Sequence, residues 1–119
     1  MRLLIVDDSI RVRDLIKRLV GGLCAEVYEC ADGDEGLAAY QKYLPDWVLM
    51  DIRMQKLNGI EATRRIVADF PEARVVIVTN FDDDRLRETA TAAGACGYVL
   101  KEDLTVLRRM LTAASSAGQ

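Results

Sequence analysis

The chain has 119 residues, half of them apolar and 29% charged, with a formal net charge of −3. That is the length of about one domain with a globular composition, which excludes a disordered chain. The acidic balance argues against nucleic-acid binding, which needs clustered Lys and Arg, and no apolar run approaches the ~18 residues of a membrane span. The N-terminal apolar run is too short for a secretory signal and ends in acid, so a cytoplasmic location is expected. The chain contains no histidine. His-based acid–base catalysis, His-ligated zinc and a phosphohistidine role are therefore removed. Cys24, Cys30 and Cys96 are odd in number and form no C-x-x-C pair, which predicts buried free thiols in a reducing compartment.

Leu3 to Val6 is an apolar run ending in Asp7-Asp8 and reads as a first strand. Ser9 is a good N-cap, and Val12, Leu15, Ile16 and Leu19 give the next segment one apolar helical face. Arg11, Arg13, Asp14, Lys17 and Arg18 fall mostly on the other face, and Gly21-Gly22 stops the helix. Ala25 to Cys30 predicts a second strand, and Asp32-Gly33-Asp34 a turn and cap. A helix from about Glu35 to Tyr43, with Leu37 and Tyr40 inward, is broken by Pro45-Asp46. Trp47 to Met50 is the third strand, delivering Asp51 to its end. Asn58-Gly59-Ile60-Glu61 has the form of a capping box, and a helix follows to about Asp69 with Ile60, Thr63, Ile66 and Val67 facing in. Arg74 to Val78, ending at Thr79, is the fourth strand. Asp82 to Asp84 opens a helix that Gly94 closes. Gly97 to Leu100, ending at Lys101, is the fifth strand, and a last helix runs from about Asp103 to Ala114. Residues 115–119 read as a tail or the start of a linker. Five βα units in one domain over 1–119 predict a doubly wound parallel sheet of order 2-1-3-4-5.

In such a sheet the carboxyl ends of the strands share one rim, where ligands bind. Asp7, Asp8, Asp51, Thr79 and Lys101 would meet there. Three close carboxylates repel, so either some hold protons or a cation sits between them. Carboxylates, a backbone carbonyl and waters suit Mg²⁺, with Asp8 and Asp51 direct, Asp7 through water and the Arg53 carbonyl placed to help. A carboxylate beside Mg²⁺ and an ammonium can attack phosphorus, with Lys101 and Thr79 contacting the phosphoryl oxygens.

Val-Asp7-Asp8, Leu-Met-Asp51-Ile-Arg-Met, Val-Thr79-Asn and Gly-Tyr98-Val-Leu-Lys101 together resemble the response-regulator receiver domains of two-component signalling, over essentially the full length. The wording around Asn80-Phe81-Asp82-Asp83 and Tyr98 to Lys101 is similar to the subgroup that precedes helix-turn-helix output domains. The resemblance implies a flavodoxin-like (βα)₅ fold and a histidine kinase or phosphotransfer protein that donates a phosphoryl group to Asp51. It implies Mg²⁺ at Asp7, Asp8, Asp51 and the Arg53 carbonyl. It implies phosphate contacts from Thr79, Lys101 and the Asn80 backbone, and a switch in which Tyr98 turns inward behind Thr79. A downstream output domain or protein would read the changed surface, in some members through a phosphorylation-dependent homodimer.

Two competing functions stand beside this one. A small hydrolase with an aspartyl-phosphate intermediate commonly needs an acid two residues after the nucleophile, where this chain has Arg53. A receiver-like scaffold that is never phosphorylated would normally have lost the motif carboxylates. The chain also departs from the family pattern: Gln55 and Glu102 stand where prolines are usual, and Asn80 replaces a small residue. A less rigid loop after Asp51 is expected from Gln55. Asn80 is expected to narrow access to Asp51 and to slow phosphorylation or hydrolysis. An Asn80→Ala variant should therefore lose its phosphoryl group at a changed rate, measured as decay of the labelled protein. An unchanged rate would remove the idea.

Overall fold

The apolar runs of the three central strands are buried on both sides, and the two edge strands are only partly buried. The computed structural model describes residues 1–117. Its elements are β1 (Arg2–Val6), α1 (Ile10–Leu19), β2 (Glu26–Cys30), α2 (Gly33–Tyr43), β3 (Trp47–Met50), α3 (Gly59–Asp69), β4 (Val75–Thr79), α4 (Asp84–Ala93), β5 (Gly97–Leu100) and α5 (Thr105–Ala117). All neighbouring strands are parallel, in the expected order β2-β1-β3-β4-β5. Among the described residues no helix is long and apolar enough to cross a membrane.

Side-chain alternation along each strand divides the core in two. Leu4, Val6, Val48, Met50, Val75 and Ile77 pack toward α2, α3 and α4, against Tyr40, Ile60, Ile66 and Ala90. Leu3, Ile5, Trp47, Leu49, Val76 and Val78 pack toward α1 and α5, against Ile16, Val20, Leu107 and Leu111. Each fully buried aliphatic side chain is worth about 1.5–3 kcal/mol relative to exposure. These two layers therefore supply the main drive for folding.

Several expectations are corrected. Leu15 is exposed rather than inward, and the α1 face is closed instead by Ile16 and Val20. Arg13 and Lys17 lie off the apolar face as expected, and there both pair with Glu29 on β2. Helix α2 starts at Gly33, because Asp32 caps it by accepting the Asp34 N–H. Asn58 accepts the Glu61 N–H at 2.9 Å. The return half of the expected capping box is not made, since Glu61 pairs with Arg64 and Arg65. Strand β4 ends at Thr79 as expected but starts at Val75 rather than Arg74. A short 3₁₀ turn at Lys101–Asp103 precedes α5, which continues to Ala117. The expected tail thus falls on helix as far as Ala117, and residues 118–119 lie outside the described residues. Cys24 and Cys30 are half-buried and Cys96 is exposed, so the expected buried thiols are only partly found.

Gly94 ends α4 with φ +109, in the left-handed region, and a Cβ there would stand 2.8 Å from a Val67 methyl. Gly94→Ala should therefore cost about 1–2 kcal/mol. The check is a lower urea midpoint at unchanged m-value.

Candidate functional site

Strand register places the acids. Val6 pairs with Met50, so the next residues, Asp7 and Asp51, leave the sheet side by side. The Asp51 N–H still donates to the Val6 carbonyl at 2.8 Å. The polar site begins where the apolar runs stop, and both carboxylates are buried, at 2% and 6% exposure. Asp8 follows on the loop and is exposed. One oxygen from each of Asp7, Asp8 and Asp51 lies within 4.8 Å of the others.

Lys101 arrives from β5, two strands away from β3. Two strand spacings come to about 10 Å, and the Lys101 stem extends across β4 to cover most of that distance. Its Nζ lies 3.0 Å from Asp7 Oδ2 and 3.2 Å from Asp51 Oδ1. Burial works against the ammonium charge, but the two carboxylates outweigh it and raise the Lys101 pKa. Burial together with the neighbouring Asp7 charge pushes Asp51 up to about 6, against the opposing pull of Lys101. One ammonium does not neutralise three acids, and the residual strain is what a divalent cation would relieve. Oxygens around an octahedral Mg²⁺, at about 2.1 Å from the ion, stand roughly 3–4.2 Å apart. The three carboxylate oxygens, within 4.8 Å of one another, need only a small contraction to reach that spacing. The all-oxygen donor set also suits Mg²⁺ rather than a thiophilic metal.

The acids open into a cleft of about 410 Å³ whose walls include Asp8, Asp51, Arg53, Asn80, Phe81 and Lys101. A larger cleft, about 560 Å³, lies between α3 and α4, walled by Met54, Ile60 and Leu86. It holds neither the acid cluster nor the lysine, so the smaller one is the candidate site. Arg53 stacks its guanidinium 4.3 Å from the Phe81 ring centroid at the mouth.

Thr79 ends β4 fully buried, and its hydroxyl accepts the Phe81 N–H at 3.2 Å rather than bonding Asp51. Tyr98 is half-buried, its hydroxyl donating to the Phe81 carbonyl at 2.6 Å and its ring lying 4.5 Å from the Arg87 guanidinium. The structure thus brings Asp7, Asp8, Asp51 and Lys101 together, sets Asn80 on the wall, and links Thr79 to Tyr98 through the Phe81 backbone.

Asp32 was expected only as a turn and cap. It also accepts the N–H groups of Lys56 and Leu57, at 2.8 and 3.0 Å, and so fastens the loop after Asp51. Burial opposes its ionisation, but these backbone donors prevail and hold its carboxyl near 2. The expected slackness of that loop is thus countered by a clamp from β2–α2. Gly59 was missed as well: its N–H donates to the Ile52 carbonyl at 2.8 Å, and a Cβ there would overlap the Asp51 carbonyl oxygen. The Asn-Gly pair was a visible signal for a helix start. Its fit against Asp51 depends on the loop's path.

Comparison with known proteins gives a consistent picture. The family model described as the response regulator receiver domain matches residues 3–112. The transcriptional regulatory protein DegU of Brevibacillus brevis is 37% identical over 105 residues, covering 86% of this chain and 44% of that protein. Response regulator GacA of Pseudomonas viridiflava is 36% identical over 103 residues, covering 85% of this chain and 48% of that protein. The chain therefore spans about half the length of the curated relatives it matches. Among solved structures, a two-component response regulator of the LuxR family from Aurantimonas sp. SI85-9A1 superposes with a TM-score of 0.87 at 34% identity, over 98% of this chain and 85% of that one.

The raised Asp51 pKa has a sign that can be tested. An acid held above its ordinary value of 3.8 contributes stability below that value and loses it as pH rises through about 6. Asp51→Asn, which cannot ionise, should therefore melt about 2–6 °C higher than wild type near pH 8 without divalent cation. The advantage should vanish toward about pH 4, as read by thermal melts across pH.

Proposed function

Since the chain belongs to the response-regulator receiver family of two-component signalling, we propose that Asp51 is its phosphoacceptor and that Asp7 and Asp8 complete a Mg²⁺ site with it. The observation that carries this reading is the convergence of three carboxylates and the Lys101 ammonium at one rim of the sheet. An Asp51 oxygen forms a bond to phosphorus as the bond from phosphorus to the donor's imidazole nitrogen breaks, and the freed imidazole takes up a proton. Mg²⁺, held by Asp7, Asp8, Asp51 and the Arg53 carbonyl, would supply charge neutralisation. Lys101 and the Asn80 backbone would contact the transferred oxygens. This is catalysis by positioning and electrostatics, which phosphoryl transfer mainly requires.

The switch follows from the same geometry. Thr79 and Tyr98 bond to opposite sides of one residue, accepting its N–H and donating to its carbonyl. A phosphoryl group drawing the Thr79 hydroxyl away would release the Phe81 N–H and disturb the seat of Tyr98. The local charge would then bias a two-state element on α4, β5 and α5. The partners we propose are a histidine kinase or phosphotransfer protein upstream and an output domain or protein downstream, in the cytoplasm. A transcriptional role is supported by relatives named as transcriptional regulators and about twice as long. A phosphorylation-dependent homodimer belongs to the same reading. A hydrolase is disfavoured because the position two after Asp51 is Arg53, committed to Phe81.

Intact-mass analysis after incubation with Mg²⁺ and a small acyl phosphate tests the assignment. The wild type should gain one phosphoryl group, Asp51→Asn none, and chelation should abolish the gain. Equal labelling of the variant would move the acceptor elsewhere. No adduct on the wild type would favour the scaffold.

A further inference from the structure

Asp7 is fixed at every polar atom. Its N–H donates to the Cys30 carbonyl at 3.0 Å. Its carboxylate accepts the Ser9 N–H at 2.8 Å and the Lys101 ammonium at 3.0 Å. Its carbonyl accepts a hydrogen bond from Arg13 Nη1 at 2.5 Å. Arg13 is itself held: its Nε donates to Glu29 Oε1 at 3.0 Å, and the other Glu29 oxygen takes Lys17 at 2.8 Å. The Arg13 side chain is only 15% exposed although it starts from a surface helix. It reaches over the first turn of α1 to the peptide that joins the two acids.

That peptide decides where Asp8 points. It is planar, so fixing the Asp7 carbonyl fixes the Asp8 N–H and the exit direction of the Asp8 Cα. Asp8 is exposed and its side chain makes no hydrogen bond among the described residues, so this peptide is what orients it.

We propose that Arg13, braced by Glu29, is a positioning residue that aims the Asp8 carboxylate at the Asp7–Asp51 cluster and so raises the affinity of the site for a divalent cation. This rests on the reading that the cluster binds such a cation. Charge alone would act in the opposite sense. A guanidinium beside a cation site repels the cation, so its removal would tighten binding if charge were its whole contribution. A positioning role predicts weaker binding, because outer contacts that orient ligands change metal affinity by ten- to a hundredfold.

The test is direct Mn²⁺ binding to the whole chain, followed by electron paramagnetic resonance of the free ion, with no turnover involved. Arg13→Gln should bind Mn²⁺ roughly tenfold more weakly than wild type. Arg13→Lys keeps the charge but lacks the fork that spans Asp7 and Glu29, and it should be weakened in the same direction. Glu29→Gln should show a smaller loss, and both latter variants report even if Arg13→Gln does not fold. The Asp8→Asn/Arg13→Gln double variant should bind no more weakly than Asp8→Asn alone, since Arg13 acts through Asp8. Unchanged or tighter binding in Arg13→Gln and Arg13→Lys would overturn the proposal, as would additive losses in the double variant. A wild type that does not bind Mn²⁺, or Asp8→Asn that binds as well as wild type, would overturn the cation-site reading itself.

Discussion

The ammonium of Lys101 between Asp7 and Asp51 is the contact on which the rest of the site depends. Two buried carboxylates on adjacent strands would repel without it. Removing that ammonium should cost roughly 3–5 kcal/mol, because it would strand the two buried carboxylate charges. Yet one ammonium leaves the cluster acid-rich, with Asp51 pushed up to about 6 by burial and by Asp7. The protein is thus stable enough to hold the acids together and unsatisfied enough to favour a cation and a phosphoryl group. That balance is set by the reach of one lysine across the fourth strand.

Around this contact the loops are fastened from outside the site. Asp32 holds the backbone of Lys56 and Leu57, and Gly59 lets the loop lie against the Asp51 carbonyl. Arg13 and Glu29 hold the loop after β1 from the other side. Each brace comes from a neighbouring βα unit, so the site is a product of the packed sheet rather than of any one loop. The rigid base also explains how a small charge change could be passed on. Phe81 gives its N–H to Thr79, its carbonyl to Tyr98 and its ring to Arg53, so any shift of Thr79 is felt on β5.

The architecture could be read from the chain before any coordinates. Strongly β-branched and apolar runs alternate with 3.6-residue periodicity, and right-handed crossovers leave few ways to arrange them. The ends of those runs carried Asp7, Asp8, Asp51, Thr79 and Lys101, and a parallel sheet puts such ends on one rim. Errors arose where tertiary contacts override local pattern. Leu15 fits the apolar helical face by spacing but lies beyond the edge of the core. Glu61 is a local exception: it fits a capping box, yet the pairs it makes are with Arg64 and Arg65 one turn along its own helix.

What the sequence by itself determined was the set of elements, their order and which chemical groups stand at the strand ends, because periodicity and punctuation are local properties of the chain. What only the tertiary structure decided was how those groups are held. Asp32 clamps residues 24 and 25 positions away, Arg13 grips the carbonyl between two acids, and Thr79 turns to Phe81 rather than to Asp51. The Asp32 bonds depend on ångström-scale distances between distant segments. The short-range bonds of Arg13 and Thr79 are braced from other strands by Glu29 and Tyr98. All of them therefore await the register of the sheet and the packing of the helices.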